Sequence, residues 1–281
     1  MTALSTGDLL RRSAGWILGH AGALARLAAP TVVFALIFRF AIDWLWGDEV
    51  AAVFASSQGS GTAALALMLS MLVWLFAITL IAVSWHRYVL RGEMAPFPAD
   101  AAALRFALYQ VWLGFLGAVT AMVWLFVLSI VLGLVGGPSL LQSITSGGLS
   151  DDVLGQPLLS AVTTVAATVP FAFYGLVLPA VAIGDRGLVA AESKRLLQGR
   201  RLPVLGALIA VSLGLFLVAS GLDLVLDAIL PDPQGPGLMS VLVDLLWLAL
   251  TAVEISLFSG VLAELYRALR LPELARNGVP G

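Results

Sequence analysis

Six apolar runs, separated by connections that alternate strictly in charge, constrain this chain more than any other feature. The runs are 27–46, 62–84, 106–135, 158–183, 203–230 and 238–262. About 20 apolar residues in helical form cross the hydrocarbon core of a bilayer, so each run is long enough to span. The connections 47–61, 136–157 and 231–237 contain no Lys or Arg and carry Asp48, Glu49, Asp151, Asp152 and Asp232. The other connections and the two ends hold fourteen of the fifteen basic residues, with Arg39 inside the first run as the exception. Basic residues stay on the cytoplasmic side of a spanning chain. The pattern therefore predicts a multi-pass protein of the cell (inner) membrane with both termini cytoplasmic, and an even number of spans agrees.

Composition supports the same class. Hydrophobic residues make up 60% and charged residues 11%, with a mean hydropathy of +1.01. A soluble domain has about 25% charged residues, so the apolar excess implies a lipid-facing surface. The predicted fold is all-α: one polytopic domain over 1–272 with six transmembrane helices, then a flexible tail at 273–281. The first run is read as a retained span. It is long for a signal sequence and ends in Trp44 and Trp46, which suit an interfacial belt. With no cysteine, neither a disulfide nor a thiolate metal site can form.

Three basic stretches, 9–26, 101–109 and 188–201, each precede an odd-numbered run. They are amphipathic and predict interfacial helices on the cytoplasmic face. Ser5 or Thr6 is placed to cap the first, with Asp8 in its opening turn. For the third, Asp185 is placed to cap a helix over 188–198 and Gly199 to end it. This arrangement suggests three copies of one unit. Any six-span protein with short loops shows some of the same regularity. Pro170 and Pro179 each remove a backbone donor from the fourth run, which predicts a bend or local unwinding there. Gly117 with Ala121, and Gly133 with Gly137, have the spacing that lets helices approach closely, as chance would also supply among 28 glycines.

The densest basic stretch, LVLPAVAIGDRGLVAAESKRLLQGRRLPVLGAL, and the closing SGVLAELYRALR carry a resemblance. They look like the corresponding parts of bacterial six-helix membrane proteins related to the membrane domain of glycerophosphodiester phosphodiesterases. In that group a proline near the end of a span precedes an acidic or glycine turn and a basic interfacial helix. The matching positions here are Pro179, Asp185, Ser193, Lys194 and Arg195. Members are mostly of unknown activity, and where a phosphodiesterase is fused its catalysis belongs to a soluble domain. The resemblance implies a fold and no reaction.

Two sets of residues are candidate sites. The first is an intramembrane charge cluster. Counted at about 1.5 Å per residue from the helix ends, Arg39, Asp223 and Asp244 come to roughly 10 Å depth on three runs, with Asp43 and Asp227 shallower. A lone charge at such depth costs roughly 2.5–3.5 kcal/mol on insertion scales, which favours a shared inward-facing site. Local pairing of Arg39 with Asp43, or snorkelling of Arg39 to head groups, are the competing readings. The second set is His86, Arg87 and Arg91 with Lys194 and Arg195, suited to a lipid head group or another anion. Its competing reading is interfacial anchoring by Trp85 and Tyr88.

Two histidines and no thiol make metal chemistry improbable on residue supply, and no phosphate-loop or dinucleotide motif occurs. No cofactor is predicted. The predicted partners are membrane lipids, anionic on the cytoplasmic face, and no nucleic acid. A homo- or hetero-oligomer built on a small-residue face is an open alternative. The favoured function is non-enzymatic, either handling of a lipid or small molecule or support of a membrane complex. The alternative is an intramembrane enzyme using His86 with Glu254 or a buried aspartate.

Overall fold

The computed structural model describes residues 5–56, 61–145, 155–229 and 238–276. Every element among them is helical: α1 (Thr6–Gly19), α2 (Ala21–Ser56), α3 (Gly61–Arg91), α4 (Ala101–Thr145), α5 (Gly155–Tyr174), α6 (Val177–Ala182), α7 (Ala190–Leu196), α8 (Arg201–Ile229), α9 (Leu238–Leu269) and α10 (Leu271–Arg276). Five of these helices are long and apolar enough to cross a membrane: α2, α3, α4, α8 and α9. The fourth apolar run is where expectation and structure part.

That run does not form one helix. It divides at Gly175 and Leu176 into α5 and the short α6. Pro170 is accommodated inside α5, whereas Pro179 supplies no N–H to the Gly175 carbonyl. That carbonyl accepts instead from Leu178 N at 3.1 Å, a tighter turn. Glycine is needed at 175 on packing grounds. A Cβ there would lie 2.4 Å from the Phe171 carbonyl oxygen and 2.8 Å from Leu262 Cδ2 of α9. The break lets α6 sit in the middle of the molecule, against α3, α4 and α9, with Val177, Leu178, Ala180 and Ala182 buried.

The basic ends of the helices hold the densest packing. Trp85, Tyr266, Phe106 and Leu9 are the bulkiest fully buried side chains, and all lie in that half. Towards the other end α4 is largely uncovered, with Met122, Trp124, Phe126 and Leu134 exposed. Such surface suits acyl chains. Helices that span a bilayer have no hydrophobic driving force between them and rely on close approach and hydrogen bonds. Gly117 of α4 illustrates this, since a Cβ would come within 3.0 Å of the Ala167 carbonyl of α5.

The amphipathic stretches differ from one another. α1 begins as expected, with the Asp8 N–H donating to Ser5 Oγ at 3.1 Å. It docks on α9 and α8: Ser13 Oγ donates to the Leu257 carbonyl at 2.7 Å and Thr6 Oγ1 to that of Pro203 at 3.1 Å. Gly260 leaves the room, because a Cβ would fall 2.4 Å from Ser13 Oγ. α1 ends at Gly19 and His20, so Arg26 belongs to α2. Residues 101–109 are no separate helix but the opening turns of α4, which has no Gly or Pro before Gly114 to interrupt it. α7 is shorter than 188–198, and its N-cap is Val189 without a side-chain cap. Asp185 does not cap it, because its carboxylate is engaged elsewhere. Gly199, with φ of +80°, lies in the turn that follows. The tail expected from 273 begins instead within α10, where Glu273 is paired.

One loop carries a feature that hydropathy did not reveal. Gly92, with φ of +71°, ends α3, and the chain then returns along the bundle. Phe97 stacks edge-on against Phe34 of α2 and Phe76 of α3, with centroids 6.3 and 5.9 Å away.

Candidate functional site

α2, α3 and α9 meet along one seam. On α2 the face Leu27, Ala28, Val32, Ala35 is buried in it, and one turn further this face presents Arg39. On α9 the seam residues Ala252 and Leu248 lead to Asp244. α3 contributes Ala77 and Ile81, then Trp74 and Ser70. Small alanines close the seam in its lower part. From Ala35 onward a cavity of about 370 Å³ lies between them. Its walls include Phe38, Met71, Trp74 and Trp247, and its polar groups are Arg39, Asp43, Asp244 and Ser70.

Arg39 Nη1 lies 3.1 Å from Asp244 Oδ1, and Arg39 Nε lies 3.7 Å from Asp43 Oδ2. The Asp244 side chain is 14% exposed, and those of Arg39 and Asp43 are 58% and 59% exposed. The local pairing and the interhelical pairing of Arg39 therefore coexist. Ser70 Oγ is turned back to the Ala66 carbonyl at 2.9 Å. Asp223 stands apart: it is exposed on α8, and no ion pair involves it among the described residues. Equal depth did not bring it to Arg39, because it is carried on a helix that packs on α5, α9 and α1. The surroundings of Asp227, Gly133 and Gly137, and all of Asp151, Asp152 and Asp232, lie outside the described residues.

The second candidate set is dispersed. His86 is fully buried, 5.8 Å from the Phe106 ring, and neither ring nitrogen has a hydrogen-bond partner. Neither Glu254 nor any aspartate is bonded to it, so the residues named for an intramembrane enzyme are not brought together. Arg87 binds the protein itself: Nε donates to the Ala182 carbonyl at 2.9 Å and Nη2 to Asp100 Oδ2 at 2.6 Å. Asp100 in turn caps α4 through the N–H groups of Ala102 and Ala103, each at 3.0 Å. Burial pushes the Asp100 carboxyl up, but the Ala103 N–H and Arg87 outweigh it and hold it below the usual carboxylate range. Arg195 spans Glu192 and, at 2.7 Å, Glu273. Arg91 lies 3.6 Å from Glu93, and Lys194 is exposed on α7.

Sequence reasoning missed two ionic knots at the basic end. In one, Asp185 Oδ2 accepts from Tyr266 Oη at 2.8 Å and Arg270 Nε at 3.2 Å, while Oδ1 accepts from Gly187 N at 2.9 Å. In the other, Glu264 accepts from Trp16 Nε1 at 2.9 Å and Arg267 Nη1 at 2.6 Å, with Arg12 at 3.8 Å. The signal was an acid and a base three residues apart, Glu264 and Arg267, inside an otherwise apolar helix. Both knots fasten the end of α9, and the second sets two guanidiniums against one carboxylate. Among the described residues no group of His, Asp and Glu could hold a metal ion.

Comparison with protein-family models, with curated proteins and with solved structures finds no match for this chain.

Proposed function

We propose that this chain is a six-span protein of the cell (inner) membrane that takes an amphiphilic small molecule or lipid into the cavity between α2, α3 and α9. The observation that carries the reading is the Arg39–Asp244 pair, 3.1 Å apart, at the edge of a largely apolar cavity of ligand size. Ion pairs in spanning segments are costly to keep and mark binding sites or pathways more often than scaffolding. The walls supply what a tail needs, and the charged edge supplies what a head group needs. The chemistry is that of binding: the only hydroxyl among the lining residues is engaged with its own helix.

In this reading the pieces α5 and α6 together make the fourth crossing, both termini are cytoplasmic, and the cavity opens towards the outer half of the membrane. The charge asymmetry of the connections supports that orientation. Exposed Arg186 and Lys194 and the half-buried Arg105 at the basic end meet anionic lipid. The resemblance to six-helix proteins related to the membrane domain of glycerophosphodiester phosphodiesterases belongs to this proposal too, as a statement about fold.

A photoreactive alkyl-diazirine lipid tests it. After irradiation in membranes, adducts should concentrate on peptides covering 70–74 and 244–248 and fall in Trp74→Ala. Adducts spread evenly over the exposed faces of α4 and α8, with none enriched at the cavity, would overturn it.

A further inference from the structure

The charge balance of the cavity goes a step beyond that reading, and rests on it. One guanidinium faces two carboxylates: Arg39 is 3.1 Å from Asp244 and 3.7 Å from Asp43. None of the other residues lining the cavity is charged, so the site carries one excess negative charge. Next to lipid a charge is poorly screened, and an excess of this kind acts strongly on whatever enters. The two indoles, Trp74 and Trp247, and the Phe38 ring line the same walls. Acids together with aromatic faces are the surroundings that an ammonium group or a bulky organic cation prefers. An anion would meet two carboxylates for one guanidinium, and Arg39 is already directed at both.

We infer that the cavity between α2, α3 and α9 selects amphiphilic cations: an ammonium or similar positive group on an apolar body. The cation neutralises the surplus of Asp43 and Asp244, and Arg39 bridges the two acids. In this scheme Asp43, half-exposed and the weaker partner of Arg39, is the group that recognises the ligand. Asp244 and Arg39 position it.

Two probes of one shape and opposite charge test the inference, tetraphenylphosphonium and tetraphenylborate. Binding of each to the full chain in a neutral maltoside detergent is measured by equilibrium dialysis, counting only the part lost in a Trp74→Ala/Trp247→Ala variant. Tetraphenylphosphonium should bind saturably and more tightly than tetraphenylborate. Asp43→Asn, which removes the surplus, should weaken it by about tenfold or more. Asp223→Asn, which removes a carboxylate from the exposed face of α8 outside the cavity, should bind within about threefold of the wild type. Tighter, Trp-dependent binding of tetraphenylborate, or no effect of Asp43→Asn, would overturn the selection for cations while leaving an amphiphile cavity in place. No Trp-dependent binding of either probe would overturn both.

Discussion

Asp185 holds three donors with two oxygens: the Tyr266 hydroxyl, the Arg270 guanidinium and the Gly187 N–H. Burial pushes its carboxyl up, but those donors outweigh it and the result lies below the usual carboxylate value of 3.8. A carboxyl depressed in the folded state contributes stability that is present above its unfolded pKa and lost as pH falls through the folded one. Asp185→Asn should therefore lower stability at pH 7 by about 1–3 kcal/mol, the cost of leaving charged or buried donors poorly matched. The gap between variant and wild type should close below about pH 4. Thermal unfolding in detergent at several pH values measures both. His86 is the reverse case. The run Trp85-His86-Arg87-Tyr88 stood out in the sequence, yet His86 faces Phe106 within the protein and Arg87 is spent on Ala182 and Asp100. Composition shows which residue types lie near an interface, but the direction each side chain takes follows from packing partners far along the chain.

At the scale of elements, the five helices long and apolar enough to cross a membrane were legible because hydropathy and length alone set them. The prolines correctly marked the fourth run as irregular. The place of the break was not legible, since it depends on Gly175 meeting Leu262 of α9, a contact 87 residues away in sequence. Gly175→Ala should lower the melting temperature and the yield of folded protein, by an amount near the 1–3 kcal/mol typical of overpacking. Gly114→Ala, at a position with open space around it, is the control and should change neither. The three amphipathic stretches looked alike in sequence and are built differently, because Gly19-His20 and Gly199 interrupt the chain where 101–109 has no breaker. Local punctuation decided this, against the apparent period.

For the molecule as a whole, the depth of a charge could be counted along each run, but its direction around the helix could not. Arg39 and Asp244 were placed at one level and meet there. Asp223 was placed at the same level and points elsewhere. A charge swap separates the two. Arg39→Asp should reduce accumulation in membranes, since it leaves three carboxylates together at the cavity. Adding Asp244→Arg should restore part of it, and adding Asp223→Arg should not. Quantitative blotting of membrane fractions reads the difference, and rescue by Asp223→Arg instead would contradict the assignment of partners.

The packed basic half and the open opposite half suggest a division of labour. Ionic knots and α6 fix the first, and the cavity between α2, α3 and α9 lies in the second. The proposed function requires that cavity to open outwards, and a single cysteine can report it because the chain has none of its own. Ser70→Cys places a thiol among the residues lining the cavity. In right-side-out membrane vesicles a charged, membrane-impermeant methanethiosulfonate reagent should modify it, and an amphiphilic cation should slow the modification. In inverted vesicles the same thiol should stay unmodified until the membrane is dissolved. Modification only from the cytoplasmic side, or none from either side while the dissolved protein reacts fully, would contradict the account.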